Sequence, residues 1–203
     1  MTPLQPDTFY HIYNRANGRE NLFDEKQNYH FFLEKYKKYI SPIAETWAYC
    51  LMPNHFHLLV EIRSEEELKR RRRRKTFPKF QTLEKLVSRQ FANLFSSYTQ
   101  AFHKLYQRTG SLFQKNFKRK EIDSGEYLTE AILYIHTNPV HRGVTDTIDD
   151  RSHFSYPDVV YGKNEYIDLS ALIDRFGTKE QFVGCHKNKT AWELGSEITL
   201  EEV

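Results

Sequence analysis

Apolar residues in this chain switch between two periods, and the order of the switches leaves few folds open. Residues 8–16, TFYHIYNRA, alternate and are rich in β-formers, which predicts a strand. Phe31, Phe32, Tyr36 and Tyr39 then recur at helical spacing, between a candidate N-cap at Asp24 and a stop at Pro42. Two more strands are predicted over 43–52 and 55–62, separated only by Pro53-Asn54, the signature of a hairpin. A long helix is predicted over roughly 80–107, where Leu83 to Leu105 carry a 3.6 period. A turn and a basic strand fill 108–122. A further helix spans 124–139, from Ser124 as candidate N-cap to Asn138-Pro139. The order β-α-β-β-α-β plus a helix predicts an α+β fold. It is a ferredoxin-like (RRM-like) antiparallel sheet with helices packed on one face and the other face left for an active site.

Residues 1–144 read as the core, with a basic insertion at about 63–79. Residues 145–203 read as a C-terminal extension packed on that core, ending in an acidic tail expected to fray. No run approaches the ~18–20 apolar residues of a membrane span. The first residues hold no apolar signal core, and Cys50 and Cys185 are isolated. A cytoplasmic protein in a reducing compartment is the expectation.

The net charge of +3 conceals an asymmetry. Residues 1–62 carry a net −1, residues 63–120 a net +13 and residues 121–203 a net −9. A basic middle third attracts a polyanion such as nucleic acid. Candidate phosphate contacts are Arg70, Arg71, Arg72, Arg73, Arg74, Arg108, Lys115, Lys118, Arg119 and Lys120, with Arg15 facing the same region from the first strand. The adjacent cations of 69–75 repel one another, so that run is expected to be mobile without a ligand.

Within MPNHFHLLVEI, residues 52–62, side chains alternate across the strand. Phe56, Leu58 and Val60 then fill the core, while His55 and His57 face the other side together. Their imidazoles are expected ~6–7 Å apart, close enough to share one divalent ion, with a third ligand supplied from elsewhere. Two ordinary histidines on an exposed sheet face satisfy the same spacing.

Tyr134 and Asn138 stand four apart on the last helix and share a face. A phenol is a weak nucleophile near neutrality, yet beside a metal-bound phosphate it could attack phosphorus. Asn138 offers a carbonyl oxygen as a third ligand. Tyr127 is a rival nucleophile, with Ala131 at the matching position. Core packing of Tyr134 beside Ile132 and Leu133 is the competing fate.

The segments YHIYNRANGRENLF, AYCLMPNHFHLLVEI, RTGSLFQKNFKRKEI and YIHTNPVHRGV, in that order, resemble the HUH single-tyrosine transposases, and most closely the REP-associated branch. The likeness runs over about 8–162. It implies a metal-dependent endonuclease and strand transferase that cuts single-stranded DNA near hairpins formed by palindromic repeats. In that reading His55, His57 and Asn138 hold Mg²⁺ or Mn²⁺. Tyr134 takes the 5′ phosphate as a phosphotyrosine. Members act in the bacterial cytoplasm at the nucleoid, as monomers or homodimers. A non-catalytic hairpin-binding module on the same fold is the alternative. The acidic segment after about residue 163 has no counterpart role.

Overall fold

The computed structural model describes residues 3–71, 82–149, 153–163 and 165–193. Its elements run β1 (Phe9–Arg15), α1 (Lys26–Tyr39), β2 (Ala44–Met52), β3 (His55–Ile62), α2 (Glu65–Arg71), α3 (Leu83–Tyr106), β4 (Lys118–Ile122), α4 (Gly125–His141), α5 (Ser155–Tyr161), α6 (Leu169–Phe176) and α7 (Lys179–Glu193). Among the described residues the strands form one sheet in the order β2-β3-β1-β4. All neighbours are antiparallel, which is the ferredoxin-like arrangement.

Alternation assigns the two sheet faces. Tyr10, Ile12, Phe56, Leu58 and Val60 are buried on the face that α1 and α3 meet through Phe32 and Phe95. There Phe56 packs 5.4 Å from Phe32 and 5.6 Å from Phe95, ring centre to ring centre. Each such ring contributes about 2 kcal/mol by leaving water. Tyr98 adds a polar lock by donating its hydroxyl to the Leu22 carbonyl. Leu105, part of the predicted apolar stripe, is instead 54% exposed.

The opposite face is not bare. Helix α4 lies across β2 and β3, and α7 lies against α4. That double burial explains why α4 is apolar nearly all round, with Leu128, Ile132, Leu133 and Ile135 buried together. Ser124 caps it, accepting from the Tyr127 amide at 3.2 Å. The expected end at Pro139 is overturned: the helix continues to His141 with Pro139 buried inside it. Proline sacrifices only one intrahelical bond in a last turn, and packing holds that turn.

Other boundaries moved less. Helix α1 is capped by Glu25 rather than Asp24, and the Asn28 side chain accepts from both of their amides at 2.9 Å. The expected mobility of 69–75 meets a helix at its start, since Lys69, Arg70 and Arg71 end α2, and Lys69 and Arg70 pair with its acidic first turn at Glu65 and Glu67. Arg72, Arg73, Arg74 and the acidic tail lie outside the described residues.

Candidate active site

The register brings together residues far apart in sequence. Across the α4-side face, Arg15 sits opposite His55, Tyr13 opposite His57, and His57 opposite Cys50. The His55 and His57 rings stand 5.2 Å apart, closer than a flat strand predicts. The Tyr134 ring approaches from α4, 5.8 Å from His57 in an edge-on contact. This is the tyrosine of the same chain. It is half-buried, so it is not locked in the interior.

His11 was not singled out from the sequence. It occupies the same face of β1, and its Nε2 lies 2.9 Å from His57 Nδ1. With His57 Nδ1–H donating to His11, His57 keeps the Nε2 lone pair. His55 Nδ1 lies 2.6 Å from Asn54 Oδ1, a pure acceptor, so His55 donates there and likewise keeps Nε2. Desolvation holds these rings neutral: it brings His11 down to about 4 and, aided by the Arg142 and Arg15 charges, His55 to about 4. Burial, then the neighbouring His11, pushes His57 well below the usual range. Neutral imidazole is the form that binds metal.

Asn138 is buried, and its Oδ1 has no hydrogen-bond partner. A buried carbonyl oxygen left open costs about 1–3 kcal/mol, so its vacancy asks for an explanation. Among the described residues no group of three His, Cys, Asp or Glu side chains is arranged for a metal. The donor types of His55 Nε2, His57 Nε2 and Asn138 Oδ1, nitrogen and oxygen mixed, suit a divalent ion chemically.

Arg142 is a second residue that the sequence reading missed. Tyr134, Asn138 and Arg142 follow at i, i+4 and i+8, one line along α4. Desolvation raises the Tyr134 pKa, while the Arg142 charge and hydrogen bonds from Asn138 and Arg142 oppose that rise. The four-residue period was the available signal, and the expected stop at Pro139 hid it.

The candidate phosphate contacts separate by geometry. Lys118 and Lys120 pair with Tyr13 and His11 and share their face. Arg119 pairs with Ile12 on the other face, its guanidinium 4.7 Å above the Phe117 ring. Arg108 is held by Glu20 and by His103. Lys115 is exposed in the loop before β4. Tyr127, the rival nucleophile, lies under Lys120 at 5.2 Å.

No family model matches the chain, and no curated protein matches it in sequence. Among solved structures, the chain is similar in fold to a REP-associated tyrosine transposase bound to a REP hairpin, at a TM-score of 0.56 and 17% identity, covering 82% of this chain and 87% of that one. The two chains share a fold. Among the described residues no helix is long and apolar enough to cross a membrane.

Proposed function

We propose that this chain is a single-tyrosine transposase of the HUH type, cutting and rejoining single-stranded DNA beside a hairpin. The observation that carries the reading is the Tyr134 ring 5.8 Å from His57, with the open Oδ1 of Asn138 one turn further along the same helix. The shared fold with a hairpin-bound tyrosine transposase supports it.

In this reading Tyr134 Oη attacks the scissile phosphorus. The Oη–P bond forms, the P–O3′ bond breaks, the phenolic proton passes to water and the 3′ oxygen leaves as a hydroxyl. Reversal with another 3′ hydroxyl restores the phosphodiester, so the bond energy is kept in the phosphotyrosine. His55, His57 and Asn138 would hold Mg²⁺ or Mn²⁺, which supplies neutralising charge at the phosphoryl oxygens. Arg142 sits against Tyr134 and favours its ionised form. Lys118 and Lys120 draw the strand onto this face without reading sequence.

The test is incubation with single-stranded hairpin DNA and Mg²⁺, followed by denaturing gel analysis. A covalent protein–DNA adduct is expected from the wild-type chain and none from Tyr134→Phe. Cleavage that survives this substitution would point to an activated water. Metal-indifferent binding with no cleavage would leave a hairpin-binding module.

A further inference from the structure

A cleft of about 440 Å³ opens beside His55, lined by Arg15, Asn21, Pro53, Asn54, His55, Arg142 and Val144. Its size lies within the range of small-molecule sites. Two arginines from different elements line it, Arg15 at the end of β1 and Arg142 at the end of α4, and none of the lining residues is acidic. The Arg15 and Arg142 charges both reach His55 and disfavour its protonation, in keeping with both residues lining the cleft beside it. The walls are fixed by backbone bonds. Ala16 N–H donates to the Asn54 carbonyl at 2.8 Å, and Leu22 and Phe23 N–H donate to the Pro53 carbonyl at 2.6 and 3.0 Å. Pro53 and Val144 supply an apolar wall, and Val144 is 42% exposed.

A site with two fixed cations, amide groups and an apolar wall suits one nucleotide: a phosphate for the arginines, a sugar or base for Pro53 and Val144. We propose that this cleft seats a nucleotide of the single strand next to the scissile phosphate, with its phosphate held between Arg15 and Arg142. The proposal rests on the reading that a DNA strand crosses the His57–Tyr134 site. It goes further by giving that strand a direction over the sheet, from the Arg15–Arg142 cleft, past His55 and His57, toward Lys118 and Lys120.

The test measures binding, in Tyr134→Phe without divalent metal, by fluorescence anisotropy. The probes are a hairpin DNA alone and the same hairpin with single-stranded extensions at either end. In the extensions, each phosphate in turn is replaced by neutral methylphosphonate. Arg142→Ala should weaken extended DNA about tenfold, lower the salt dependence by about one counterion, and leave the bare hairpin unchanged. At one phosphate position, methylphosphonate and Arg142→Ala should not add, because each removes the same contact. Arg15→Ala should show the same coupling, and Val144→Asp should reproduce the loss by charging the wall.

Additive losses at every position overturn the proposal, as does an equal loss on the bare hairpin or failure to bind any of these DNAs. The enzyme reading fails separately: no adduct from the wild-type chain, with coupling present, removes the chemistry and keeps the cleft. An adduct without coupling removes the cleft alone.

Discussion

Two clusters of histidine flank α4, and they differ in whether their polar atoms are satisfied. On the side facing α5 and α7, His186 Nδ1–H donates to the Phe182 carbonyl at 2.7 Å, so its Nε2 accepts from His136 Nδ1–H at 2.8 Å. His136 Nε2 then accepts from the Ser155 hydroxyl at 2.7 Å, and Ser155 Oγ accepts from the Tyr49 amide at 2.8 Å. Every ring nitrogen is used, and all three side chains are fully buried. On the sheet side, His11 and Asn54 occupy one nitrogen each of His57 and His55, and Asn138 Oδ1 stays open. Saturation marks the inner cluster as scaffold, joining α4 to α5 and α7. Open polar atoms, which cost stability, mark the outer cluster as the place where a ligand belongs.

Substitutions can break or sharpen this contrast. The largest effect is expected at the outer cluster: Tyr134→Phe should cut adduct formation by on the order of 10³-fold or more, with stability changed by less than ~0.5 kcal/mol in urea unfolding. The inner cluster should behave in the opposite way. His136→Ala strands Ser155 and His186 and opens a cavity, and should cost about 3 kcal/mol in the same unfolding experiment. A loss below ~1 kcal/mol would remove the scaffold role.

Acid should expose the inner pair next. Burial holds His136 well below its ordinary value and His186 at about 4, against 6.5 for an open imidazole. The unfolded chain therefore binds more protons between those values, and stability falls as pH drops from about 6.5 toward 4. The slope is about 1.4 kcal/mol per pH unit for each histidine. His186→Phe should lower the slope of the urea-midpoint profile over that window by one histidine's share, with His11, His55, His57 and His136 keeping the rest. An unchanged slope would mean that His186 is not held neutral.

Smaller effects separate the outer residues. His11→Phe removes the acceptor that orients His57, and should weaken Mn²⁺ binding about 10-fold by electron paramagnetic resonance titration, leaving unfolding little changed. Smallest of all, Lys118→Ala or Lys120→Ala should each lower the salt slope of DNA binding by about one, whereas Arg119→Ala should not. A comparable effect at Arg119 would contradict its place on the other face.

Much of the site was legible from local pattern. His55 and His57 share a face because a strand repeats every two residues, and Tyr134 and Asn138 share one because a helix repeats every 3.6. His11 was not legible: its partnership with His57 spans 46 positions and exists only through the β1–β3 register. Arg142 was hidden by a proline rule that packing overrode. Among the basic candidates, 118–120 read as one patch in sequence, and strand alternation divides it between two faces.

The order of periods alone determined the strands, the main helices and the ferredoxin-like sandwich, because backbone sterics and apolar burial act over a few residues at a time. Only the tertiary structure decided that α4 lies over β2 and β3, that its tyrosine meets the histidines of its own chain, and which imidazole nitrogens remain open. Those outcomes depend on contacts between distant segments, whose energies no local window contains.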